Sequence, residues 1–227
     1  NNISRTNIYD TLSGIHSAVI YYYGRYKIDG NAREIIKLII ELFKNNFDMT
    51  FMRKNFNFAS FAHGYSGVLT SAMCMYKIEK SSKTKFLISE LFRAEEALHE
   101  SGFLWRDMRR KEQQYSHYWC HGSLGIMYSR LIWRMLNLTD GIDTEISDST
   151  FALEEYKKQI TLGVLDSQNY SLCHGNFAFV DFLISYKKIF GNDQKISDYI
   201  SKIKNNGKTH GYSCIGAPGA INSIGYM

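Results

Sequence analysis

The 227-residue chain has a single proline, Pro218, four cysteines, no run of like charge and no uninterrupted apolar stretch of the roughly 18 residues needed to span a bilayer. Each scarcity excludes something. Without an apolar span, and with a polar first ten residues that lack a secretory h-region, the chain reads as a soluble, cytoplasmic protein with no transmembrane segment. The 27 basic and 22 acidic residues are scattered, so the net charge of +5 gives no reason to expect a nucleic-acid partner. Four cysteines (Cys74, Cys120, Cys173, Cys214) are too few for a secreted disulfide scaffold, and metal binding or catalysis is the better reading of them. A chain almost free of proline but carrying 16 Tyr and 14 Phe favours long uninterrupted helices with large aromatic packing surfaces.

What the sequence does contain is a repeat. A pair of small residues spaced by three recurs just before an apolar run: TLSGI at 11–15, HGYSGV at 63–68, HGSLGI at 121–126, HGNFAF at 174–179 and GAPGAI at 216–221. The second small residues are Gly14, Gly67, Gly125, Ala178 and Gly219, and each step has room for two helices. Segments after the motifs, such as SGVLTSAMCMY at 66–76 and GIMYSRLIWRML at 125–136, are apolar nearly all round, as buried helices are. Between them, residues 31–47 carry Ile35, Ile36, Ile39, Ile40 and Phe43 at helical spacing, and residues 85–102 carry Phe86, Leu87, Leu91 and Leu98.

Alternating buried and amphipathic helices predict an all-α fold, an α/α toroid of inner and outer helix pairs forming one domain over residues 1–227. Glycine in a helix costs about 1 kcal/mol against alanine, so recurring small pairs imply close backbone approach where inner helices converge. The motifs then line one rim. Five inner and four outer helices leave the ring incomplete, which predicts a fragment of a longer polypeptide.

Three copies place His or Cys immediately before the small pair: FAHG at 61–64, WCHG at 119–122 and LCHG at 172–175. Taken singly, these residues read as core cysteines and capping histidines; their shared register points to a metal. Two thiolates and one imidazole with an open fourth position match a catalytic zinc site, and Cys120, Cys173 and His174 supply that set. Two thiolates make the metal a weak Lewis acid for water and suit it better to keeping a bound thiol nucleophilic.

FAHGYSGV, YWCHGSLGI, LCHGNFAF and GAPGAINSIGY together resemble the lanthipeptide cyclase family, and WCHG resembles the C-terminal cyclase domain of the class II (LanM-type) synthetases. The resemblance implies an α/α toroid holding Zn2+, which adds peptide cysteine thiols to dehydroalanine or dehydrobutyrine to form lanthionine or methyllanthionine rings. It makes Cys120, Cys173 and His174 the metal ligands and His63 the acid/base near the metal, with His121 second choice and Trp119 packing against the metal shell or lining the peptide channel. Its implied partners are a dehydrated precursor peptide and an N-terminal dehydratase domain on the same chain. The sequence departs from the family at two rim positions, Ser116 and Ala178, and counting back from Gly14 puts the family's aspartate on Asn7, with Asp10 nearer the helix. Two rivals stand beside this reading: a related enzyme that adds glutathione to dehydrated residues, and a catalytically silent toroid that binds peptide or protein partners. The stretch RDMRRKE at 106–112 reads as a solvated loop, and Cys74 as core.

Overall fold

A computed structural model describes residues 9–11, 14–26, 28–109, 115–138, 151–166 and 170–209. Along them run α1 (Ile15–Arg25), α2 (Gly30–Asn46), α3 (Met49–Asn55), α4 (Tyr65–Ile78), α5 (Ser82–Glu96), a hairpin of β1 (His99–Ser101) and β2 (Leu104–Trp105), then α6 (Ser123–Leu136), α7 (Phe151–Thr161), α8 (Asn176–Phe190) and α9 (Gln194–Thr209). The fifth motif at 216–221, together with Cys214, lies outside the described residues.

Two kinds of helix follow from two sequence patterns. In α2, Asp29 caps the first turn by accepting from the Asn31 and Ala32 amides. Ala32, Ile36, Ile40 and Phe43 then form one buried stripe, while Leu38 on the opposite face is exposed. In α4, by contrast, every residue from Tyr65 to Tyr76 is buried, and α6 is buried from Ser123 to Trp133. A helix apolar on all sides is stable only when neighbours surround it. Accordingly α4 packs on α1, α5 and α6, and α6 packs on α4, α7 and α8. The inner helices α1, α4, α6 and α8 stand side by side in chain order, and α2, α5, α7 and α9 back them from outside. This is the α/α-toroid arrangement that the repeat predicts. Cys74 lies fully buried within α4, in the core, as expected.

Among the described residues, the short α3 is not announced by the sequence pattern, and one expected helix ends early. The amphipathic pattern runs on to residue 102, yet α5 ends at Glu96 and the chain turns into the β1–β2 hairpin. Gly102 adopts φ +56°, a left-handed conformation that suits a tight turn and not a helix. The hairpin sends Trp105 into the core, 4% exposed. It also brings the following residues back to the rim.

Close approach explains the paired small residues. A Cβ on Gly67 would stand 2.0 Å from Phe61 O and 2.0 Å from Thr11 Oγ1, and one on Gly125 would stand 2.1 Å from Trp119 O and 2.6 Å from Phe61 Cβ. Each inner helix therefore starts pressed against its own loop and against the preceding motif.

Candidate metal centre

The rim loops before α4 and α6 fold alike. The Tyr65 amide donates to Phe58 O at 2.8 Å and the Ser123 amide to Ser116 O at 2.9 Å, closing a turn of equal length in each repeat. Successive loops are then stitched by single backbone hydrogen bonds: Thr11 N to Ala62 O (2.9 Å), Ala62 N to Cys120 O (3.2 Å) and Trp119 N to Cys173 O (3.1 Å). This ladder converts register in the sequence into adjacency in space.

Counted four before each second small residue, the register holds Asp10, His63, His121 and His174. One position earlier it holds Tyr9, Ala62, Cys120 and Cys173. The structure sets three of the first set, Asp10, His63 and His121, side by side along the rim as a relay. His63 Nδ1 donates to Asp10 Oδ2 at 2.5 Å, which leaves Nε2 as the nitrogen available for proton transfer. The His63 and His121 rings stack with centroids 5.0 Å apart. His174 belongs to the next group: its Nε2 lies 3.1 Å from Cys120 Sγ, and ligand atoms of Cys120, Cys173 and His174 all fall within 4.8 Å of one another.

Tetrahedral zinc, with bonds of about 2.0–2.3 Å, holds such atoms roughly 3.5–3.8 Å apart, so this donor set fits a divalent cation and leaves one position open. The electrostatics agree. Cys173 is held down to about 7, chiefly by a hydrogen bond from Cys120, and the same bond pushes Cys120 up. Burial lowers His121 to about 4 and also lowers His174, with the positive charge of Arg109 adding to both effects. Neutral imidazoles and a thiol that ionises easily are what a metal requires of its ligands.

Trp119 is 4% exposed and packs on Phe61 with ring centroids 5.2 Å apart, so it lies in the packing behind Cys120. Two residues escaped the sequence reading. The family's aspartate position, counted onto Asn7 outside the described residues, is filled at the rim by Asp10, and the register that finds His63 also finds Asp10. Arg109 falls in the stretch read as a solvated loop, of which residues 110–112 also lie outside the described set. Arg106, Met108 and Arg109 are exposed, as a solvated loop requires, but the stretch has an anchor. Asp107 is nearly buried (side chain 7% exposed) and grips Arg109 through Nε at 2.8 Å and Nη2 at 2.5 Å, and the guanidinium field reaches Cys120, His121 and His174. No spacing signals this, because the hairpin alone returns residues 106–109 to the rim.

Comparison with known proteins agrees with the geometry. The lanthionine synthetase C-like family profile matches residues 1–227. A "Lacticin 481/lactococcin biosynthesis protein LcnDR2" from Lactococcus lactis subsp. lactis is 29% identical over 165 residues, which cover 69% of this chain and 18% of that protein. The chain thus spans a small part of the curated relative it matches. Among the described residues no helix is long and apolar enough to cross a membrane. With the match running the whole length and the repeated rim, its glycines and its Cys/His register all in place, the chain belongs to the lanthionine synthetase C-like family.

Proposed function

We propose that this chain is the zinc-dependent cyclase domain of a class II lanthipeptide synthetase, adding cysteine thiols of a dehydrated precursor peptide to its dehydroalanine and dehydrobutyrine residues. The observation that carries the reading is the meeting, on one rim, of the Cys120, Cys173 and His174 donor set with a histidine oriented by a carboxylate. A zinc ion held by those three ligands supplies a Lewis acid that makes a thiol at its open position easier to ionise.

The chain's own groups handle the protons. His63 Nε2 takes the proton that the peptide thiol loses, while Asp10 holds the ring by Nδ1 and stabilises the imidazolium. The sulfur bonds to the β-carbon, and the π electrons move onto the α-carbon and its carbonyl as an enolate. His63 then returns a proton to the α-carbon. The net change is S–H added across C=C with no leaving group. His121, kept neutral by burial, stacks on His63 without competing for its proton. Trp119 supports Cys120 from behind. Cytoplasmic reducing conditions suit this arrangement, because Cys120 and Cys173 must stay thiols. A dehydratase domain elsewhere on the same polypeptide supplies the dehydrated peptide.

Metal analysis with a ring-closure assay tests the reading. Purified protein is expected to carry about one equivalent of zinc and to convert a dehydrated, cysteine-containing peptide to a product of unchanged mass that no longer reacts with thiol reagents. Cys173→Ala is expected to retain well under half an equivalent and to close no rings. A Cys173→Ala protein that keeps both metal and activity would overturn the proposal, and a product heavier by one added thiol would redirect it to intermolecular addition.

A further inference from the structure

Beside the relay, the loop at 58–60, the hairpin exit at 105–109 and the start of α6 form a small pocket of about 20 Å3 that opens to solvent and has His121 in its wall. Three polar groups lining it are buried without a hydrogen-bond partner among the described residues: Ser60 Oγ, Trp105 Nε1 and Ser116 Oγ. Ser60 is 6% and Trp105 4% exposed. Buried polar groups left unpaired are costly and uncommon. Three around one cavity indicate a site built to receive hydrogen-bonding atoms.

The donor inventory says which atoms. An indole N–H can only donate, a guanidinium can only donate, and the two hydroxyls can do either. The Arg109 fork is fixed by Asp107, which occupies Nε and Nη2 and leaves Nη1 outside the pair. Asp107 also lines the pocket, but its carboxylate is committed to Arg109, so the remaining wall is biased toward donors and recognises carbonyl oxygens. Its position supplies the rest. The cavity shares His121 with the relay and is lined by none of Cys120, Cys173 and His174, so it lies on the side that handles protons.

We propose that this cavity is the acceptor subsite: it binds the dehydroamino-acid segment of the peptide by its backbone carbonyls and presents the alkene to His63. The assignment rests on the cyclase reading and deepens it by separating the acceptor side from the thiol side. Met108, which is exposed, adds apolar surface suited to the alkene side chains.

The test uses two labelled probes on the zinc-loaded protein: a dehydrobutyrine peptide lacking cysteine, and the undehydrated cysteine peptide. Trp105→Phe and Ser116→Ala each delete one hydrogen-bonding group and keep most of the shape. Each is expected to weaken binding of the cysteine-free dehydrated probe about 3- to 10-fold, and the double variant more, with far less effect on the cysteine probe. Zinc content and circular dichroism serve as folding controls. Equal loss for both probes would overturn the acceptor assignment, and so would unchanged affinity for the dehydrated probe. Ring closure by the wild-type protein is read separately: if it fails while the variants still discriminate between the probes, the cyclase reading falls and the subsite stands.

Discussion

Between α4 and α6, the Arg130 guanidinium is wrapped by Glu95, Glu96, Ser129 and the Phe92 ring, and the Ser66 hydroxyl completes the cluster by donating to Glu95. At the rim, Cys120, Cys173 and His174 instead bring three potential metal-ligand atoms within 4.8 Å of one another. Both clusters join elements far apart in the chain. The first pairs opposite charges within the protein, with only Arg130 Nε left without a partner, so its role is structural: it ties outer helix α5 to inner helices α4 and α6. The second gathers metal-ligating atoms and no charged partner of opposite sign, which is the donor set a cation would complete. Burial alone does not mark a functional site; the sign and type of the groups brought together does.

Breaking the structural cluster is expected to give the largest effect on stability. Arg130→Met leaves Glu95 buried without its partner and should lower unfolding stability by about 3–5 kcal/mol, measured by urea titration of the circular dichroism signal. Replacing Glu95 as well should recover much of that loss, and the folded fraction should keep its zinc. Loss of zinc with no loss of stability would erase the distinction between the clusters.

At the rim, effects should fall on rate instead. His63→Asn is expected to lower the ring-closure rate by about 10²–10⁴-fold, as expected for loss of a general acid–base group. Asp10→Asn should lower it by less, because the ring stays in place and loses only its orienting carboxylate. Single-turnover kinetics at saturating peptide compares the two, and an Asp10→Asn rate equal to wild type would remove the aspartate from the relay.

The smallest expected effect concerns pH. His117 is lowered by burial, and its Nδ1 has no partner among the described residues. The folded protein therefore keeps it neutral, while the unfolded chain takes up a proton below its ordinary value. Stability should fall as pH drops through that value, by at most about 1.4 kcal/mol per pH unit from this group. His117→Phe, which can pack on Phe103, should flatten that slope in thermal melts between pH 7 and 5.5. An unchanged slope would show that other groups set it.

Much of this molecule can be read from its residues. The stripe of Ile36, Ile40 and Phe43, the all-round burial of α4 and the register of Cys120 with Cys173 all follow from periodicity, because a helix repeats its faces at a fixed interval. Asp10 is equally legible in register, four before Gly14 as His63 is four before Gly67. The end of α5 was not readable, since its apolar pattern continues past the point where Gly102 turns the chain.

Residue type and spacing alone determined that inner helices alternate with outer ones, that their starts form one rim, and that two cysteines and a line of histidines occupy it. Only tertiary structure decided which histidine does what. His63, His121 and His174 hold the same register, yet one is oriented by a carboxylate, one is stacked and kept neutral, and one faces two sulfurs. The chemistry of an imidazole is set by what lies against its nitrogens, and those neighbours come from other repeats and from a hairpin whose return no periodicity announces.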